Sequence, residues 1–263
     1  MKTIAYTALH YGKDYLGYAI RSIIDHVDEY HVLYTPQGSH GHRTGITCPD
    51  SREELYQVAY AAAGDKMTWH EGLWTQEGQH RDAIHELVPD ADVVLVLDAD
   101  EIWRWTHGNL IEDTVKIVSR HPNPPMSICF PLIHYWRSFR RAIVHDPASP
   151  HRILFPRYRR PQNEGGWSMY LGQSNVKNDL HPIINHMGYA IRPEMVQYKM
   201  LTHGHKNEFR QDVDWYKDVF LANRQTDCHI VGSEYWNPEQ VEPLDYMPDW
   251  MTEHEYWGKD VIE

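Results

Sequence analysis

The stretch "VVLVLDADEIW", residues 93–103, decides how the rest of the chain is read. Its five opening apolar residues are too few to cross a membrane. They also lack the alternation of a half-exposed strand. Such a run marks a strand covered on both faces, as in a parallel sheet packed between helices. Three carboxylates then fall within four positions, at Asp98, Asp100 and Glu101. In open α/β sheets, ligands bind beyond the carboxyl ends of the strands. The two-residue spacing turns Asp98 and Asp100 to one side wherever extended geometry persists. Converging carboxylates repel unless a cation lies between them. Hard divalent ions take oxygen ligands, and Mg²⁺ commonly uses one or two carboxylates plus substrate phosphates. The stretch therefore reads as a platform for Mn²⁺ or Mg²⁺ and phosphate. The plainer alternative is a group of acids that cap the next helix or solvate a loop.

Upstream, strand and helix patterns alternate. Residues 3–8 read as a strand, and 14–24 place Leu16, Ile20, Ile23 and Ile24 on one helical face. Residues 30–35 form a second strand. Ser51 and Glu54 have the spacing of a capping box, with Leu55, Val58, Ala59 and Ala62 as the apolar stripe behind it. A strand near 66–70 and a helix over 77–88 lead to the opening stretch. This alternation predicts an α/β fold with a mostly parallel central sheet flanked by helices. Downstream the rhythm breaks. A helix over 109–119 is followed by one apolar-aromatic strand, 126–136. Short strands and long loops follow to 190, then helices from Pro193 and over 208–222, and an acidic tail from Glu234. With no repeat and no linker, the expectation is a single domain over 1–263.

Composition bounds the partners. Hydrophobic residues make up 41 % of the 263, enough for a substantial core. The net charge of −12 argues against a general nucleic-acid or anionic-membrane binder. No segment has the length of a membrane span, and the N-terminus turns polar too early for a secretory signal. Cys48, Cys129 and Cys228 give neither a disulfide framework nor a zinc pattern, and a reducing, cytoplasmic setting is expected. Nineteen histidines leave room for one or two metal ligands.

The order of elements, with "LDADEIW" ending the fourth strand, resembles nucleotide-sugar glycosyltransferases of the GT-A fold. "DADEI" is similar to the DxDEI signature of family-17-like enzymes. "TALHYGKDYLGYAIRSIIDHVDEYHVLYT" (7–35) is similar to the opening of family 2, and "NHMGYAIRPEMVQYKMLTHGHK" (185–206) to a later histidine-containing segment. The resemblance covers residues 3–105 and resumes at 185–206. It implies a Rossmann-type GT-A domain with a nucleotide-sugar-binding half, 1–105, and an acceptor-side half with a C-terminal wrap, 106–263.

The same resemblance implies a donor nucleoside diphosphate sugar, UDP-sugar favoured, and a metal held by Asp98 and Asp100, with Asp100 the more direct ligand. Thr7, Ala8 and Leu9 are placed against the base, and Arg81 near the nucleotide. Gln37 stands where family 2 carries an acidic residue. His203, His186 and His205 are candidates to complete the metal shell, with Lys206 toward the diphosphate. The flat rings of Tyr135 and Trp136 suit an acceptor sugar, or alternatively the core. An inverting transfer needs a general base near the acceptor hydroxyl, and Glu164 and Asp179 are the candidates. Stereochemistry is left open. The alternatives are a metal-dependent phosphoester hydrolase, a catalytically silent sugar- or nucleotide-binding protein, and a glycosyltransferase acting on modified nucleic-acid bases, the last disfavoured by the net charge.

Overall fold

The structure is a computed structural model that describes residues 1–38, 47–105, 110–144, 146, 149–159, 166–170, 182–202, 209–210, 212–232 and 236–262. The first half alternates as the apolar periodicity predicts. It runs β1 (Thr3–Leu9), α1 (Lys13–Ile23), β2 (Glu29–Tyr34), α2 (Arg52–Ala63), β3 (Met67–Glu71), α3 (Glu77–Leu87) and β4 (Val93–Val96). Then come β5 (Glu101–Arg104), α4 (Leu110–Arg120), β6 (Ser127–Cys129), β7 (Leu132–Trp136), β8 (Arg141–Ile143), β9 (His151–Leu154), β10 (Ser168–Tyr170), β11 (Ile183–Tyr189), α5 (Pro193–Thr202) and β12 (Glu239–Gln240).

The main sheet has the order β10-β6-β9-β4-β1-β2-β3. β1 pairs in parallel with both β2 and β4, and β2 with β3, whereas β9 runs antiparallel between β4 and β6. Strand β4 explains its own composition. Val94 and Val96 join one apolar cluster with Ile4, Tyr6, Leu33 and Ile84 of α3. Val93, Leu95 and Leu97 join another with Leu16 and Ile20 of α1 and Leu55 of α2. Both faces are covered, so no polar alternation survives. The capping box at α2 is present, with Ser51 and Glu54 each satisfying the other's backbone N–H.

Two expectations are corrected. The strand read over 126–136 is two strands in two sheets. Pro131 lies between β6 and β7 and has no N–H to give to a central ladder. Beyond it, β7 enters a second sheet of order β12-β8-β7-β11-β5. The helix expected over 208–222 is confined, among the described residues, to a π-helical segment at Trp215–Leu221. No helix of the described residues is long and apolar enough to cross a membrane.

Candidate functional site

The carboxyl ends of β1 and β4 lie side by side, since the parallel ladder continues as Leu97 donates its backbone N–H to the carbonyl of Tyr6. Beyond them, two tight turns meet. Gly12, with φ +125°, turns the chain into α1, and a Cβ added there would stand 2.7 Å from Cβ of Ala99. Glycine is the residue that tolerates both this dihedral and this approach. Asp50 accepts the N–H groups of Gly12 and Lys13 and so closes the start of α1. A cavity of about 450 Å³ opens over these turns. Asp98, Asp100, Arg81 and the 10–12 turn line it together with His134, His186, Tyr189, Lys199 and Trp236.

The three carboxylates of the opening stretch diverge. Asp98 gives one oxygen to Arg81 Nη1 at 2.9 Å and the other to Arg152 Nη2 at 2.8 Å. Burial raises its pKa, but the two guanidiniums outweigh burial and bring it down to about 2. Glu101, fully buried, accepts from Arg152 Nε at 2.8 Å and also pairs with Arg152 Nη2. Arg152 thus bridges two acids, and their charges keep its pKa above the ordinary value despite burial. Both oxygens of Asp98, expected as a metal ligand, are held by guanidiniums. Asp98 orients Arg81 and raises its pKa well above the usual value.

Asp100 faces a different set. Its Oδ2 lies 3.5 Å from His186 Nε2 and 3.4 Å from Lys199 Nζ. Burial opposes ionisation here too, but Lys199 and His186 overcome it and hold the carboxyl well below the usual range. The sheet explains the meeting. Antiparallel pairing of β11 with β5 sets His186 opposite Glu101, one residue past Asp100, and Met187 donates its N–H to the Asp100 carbonyl. Gly188 leaves the space that the pair occupies, since a Cβ there would lie 2.8 Å from both His186 Nε2 and Lys199 Nζ. Behind His186, its Nδ1 is 2.7 Å from Nδ1 of His134. His134 Nε2 is 3.1 Å from Asp146 Oδ2, an oblique approach outside in-line hydrogen-bond geometry. Burial is the main cause that pushes the pKa of His134 down to about 4.

The remaining expected residues separate clearly. Ala8 lines the cavity. Thr7 and Leu9 are fully buried, and Thr7 Oγ1 donates to the Leu97 carbonyl, so neither faces a base. Gln37 is exposed and does not line the cavity, whereas its neighbour Gly38 does. Tyr135 and Trp136 are corrected from acceptor contacts to core: both are fully buried. The Tyr135 hydroxyl donates to Asn185, and Trp136 packs against Trp215 and Phe220. Glu164, Asp179, His203, His205 and Lys206 lie outside the described residues. Sequence reading missed Lys199, Arg152, His134 and Asp146. For Lys199 a signal existed, a lysine inside the histidine-containing segment 185–206. No local pattern marks Arg152 or Asp146.

No family model matches the sequence, and no curated protein matches it. Among solved structures, it is similar to S. aureus TarS at 13 % identity and a TM-score of 0.41, over 85 % of this chain. The chain spans 42 % of the length of that protein. It is also similar to mannose-6-phosphate isomerase from Helicobacter pylori (9 % identity, TM-score 0.35, covering 84 % of this chain and 80 % of that one). A third is UDP-glucose pyrophosphorylase complexed with UDP-glucose (9 % identity, TM-score 0.34, covering 79 % and 99 %). Likenesses at this level speak to neither reaction nor substrate.

Proposed function

We propose that the chain is a metal-dependent glycosyltransferase that moves a sugar from a nucleoside diphosphate sugar, UDP-sugar favoured, to a hydroxyl acceptor. The observation that carries this reading is the meeting of Asp100 and His186 over the cavity at the carboxyl edge of the main sheet. One carboxylate oxygen and one imidazole nitrogen, both lining a cavity, are donors that would hold Mn²⁺ or Mg²⁺. Bound there, the ion would supply Lewis-acid stabilisation of charge on a diphosphate leaving group.

The chain's own cations act beside it. Arg81, held in place by Asp98, presents a planar cation on the cavity wall. Lys199 now leans on Asp100, and on ligand binding it turns to a phosphate oxygen. Glu164 or Asp179 is proposed as general base if transfer inverts. The hydrolase reading is less favoured. A two-metal hydrolase needs several free carboxylates, whereas Asp98 and Glu101 are taken up by arginines, and no cluster of three metal-donor side chains occurs among the described residues.

Asp100→Ala is expected to lower Mn²⁺-dependent turnover of nucleotide-sugars by about 100-fold or more, the scale on which charge-stabilising groups act, while the circular-dichroism melt is retained. Full turnover by this variant in the presence of a chelator rejects the reading.

A further inference from the structure

Behind the Asp100–His186 pair lies a line of buried polar groups for which a glycosyl transfer as described above has no use. Trp236 Nε1, which can only donate, gives its hydrogen to Asp146 Oδ2 at 2.8 Å. That oxygen is therefore an acceptor. His134 Nε2 lies 3.1 Å from the same atom, too oblique for an in-line hydrogen bond, but a lone pair that close to a carboxylate oxygen is repelled, so this nitrogen carries the N–H. A neutral imidazole has a single N–H, so His134 Nδ1 carries the lone pair. His134 Nδ1 and His186 Nδ1 are 2.7 Å apart, a distance that requires one donor and one acceptor. The donor is then His186.

The consequence reaches the cavity. In its neutral form, with the proton on Nδ1, His186 turns an unprotonated Nε2 toward Asp100 Oδ2, 3.5 Å away. Two acceptors facing each other call for a cation beside them. In this structure the Lys199 ammonium stands 3.4 Å from the same oxygen. The backbone enforces the arrangement. Strands β7 and β11 are parallel neighbours in which His134 and His186 are register partners, and their rings meet edge to face at 88°.

We propose that Asp146 and His134 are positioning residues that hold His186 as its Nδ1–H tautomer, so that the Nε2 lone pair is offered to a divalent cation shared with Asp100. The inference rests on the cation site of the proposed function, but the tautomer is measurable with no metal present. Partners of this kind, one bond behind a metal-binding imidazole, commonly change metal affinity by about 10–100-fold when removed. A pair retained only for packing predicts no such change.

The test uses the full chain with Mn²⁺ alone as probe and two readouts. The first is ¹⁵N–¹H correlation of the histidine side chains in metal-free protein. The second is Mn²⁺ affinity from the electron paramagnetic resonance signal of the free ion. The wild type is expected to show His186 protonated at Nδ1. Asp146→Asn is expected to lose that single tautomer and bind Mn²⁺ about 10–100-fold more weakly, with Asp146→Glu recovering part of the loss. His134→Phe, which keeps a ring but no acceptor, carries the same expectation for Mn²⁺ if Asp146→Asn fails to fold.

A wild-type His186 protonated at Nε2 overturns the inference. So does Mn²⁺ binding of equal strength in wild type, Asp146→Asn and His134→Phe, which leaves the proposed function standing. Absence of Mn²⁺ binding in a wild type that shows the Nδ1–H tautomer overturns the cation site itself, and with it the inference.

Discussion

At the scale of single residues, two buried acids make opposite predictions. Glu101 is fully buried and has Arg152 as its counter-charge. Arg152→Met leaves that carboxylate in the core without a partner, and breaking a buried pair from one side costs about 3–5 kcal/mol. Urea denaturation at pH 7 is expected to show a loss of that order, and a loss below about 1 kcal/mol contradicts the bridge. Asp14, in the first turn of α1, is the reverse case. Burial raises its carboxyl to about 6, against the pull of Arg192, and its Oδ2 has no hydrogen-bond partner among the described residues. An unfolded aspartate titrates near about 3.9. The folded state thus binds the proton more tightly, and Asp14 favours folding below about pH 4. That contribution is lost as the pH rises through about 6. Asp14→Asn removes the titration. Its stability relative to wild type is expected to improve by about 2 kcal/mol between pH 4 and pH 7. Urea midpoints at the two pH values measure this, and parallel pH profiles contradict it.

At the scale of elements, two helix starts separate stability from site geometry. The capping box of α2 does not line the cavity, so Ser51→Ala is expected to cost about 1 kcal/mol and leave Mn²⁺ binding unchanged. The start of α1 is different. Gly12→Ala brings a methyl to 2.7 Å from Cβ of Ala99 at a dihedral that side chains rarely adopt. The strain, about 1–3 kcal/mol, falls on the turn that presents Asp98 and Asp100. Gly12→Ala is therefore expected to lower both the melting temperature and Mn²⁺ affinity. A variant that melts lower yet binds Mn²⁺ as wild type shows the two turns to be independent. Much at this scale was legible in the sequence: β1 through β4, the three helices between them and the α2 cap follow from apolar period and capping chemistry. At β6–β7 the apolar run 126–136 hides a boundary that Pro131 marks, because proline cannot donate to a central ladder.

At the scale of the whole molecule, the cavity is built from both sheets. Asp98 and Asp100 stand between β4 of the first and β5 of the second, while His134 and His186 come from β7 and β11 of the second. A ligand that spans these parts ties the sheets together and stabilises the fold in proportion to its occupancy. A UDP-sugar with Mn²⁺ at about 100 times its Kd is expected to add about 2.7 kcal/mol, read as a rise in melting temperature. Asp100→Asn is expected to lose that rise. A rise of equal size with a phosphodiester in place of the nucleotide-sugar contradicts the donor assignment.

The sequence by itself determined the covered strand 93–96, the alternation that makes the sheet mostly parallel, and the placing of Asp100 at a strand end. All three are local, because period and capping act over a few neighbouring residues. Only the tertiary structure decided that Arg81 and Arg152 take up Asp98, that Tyr135 and Trp136 lie in the core, and that Asp100 meets His186 and Lys199. These outcomes depend on strand order and register, which bring Arg152 to Asp98 across 54 positions of the chain and Lys199 to Asp100 across 99. No local pattern of apolar and charged residues encodes that convergence.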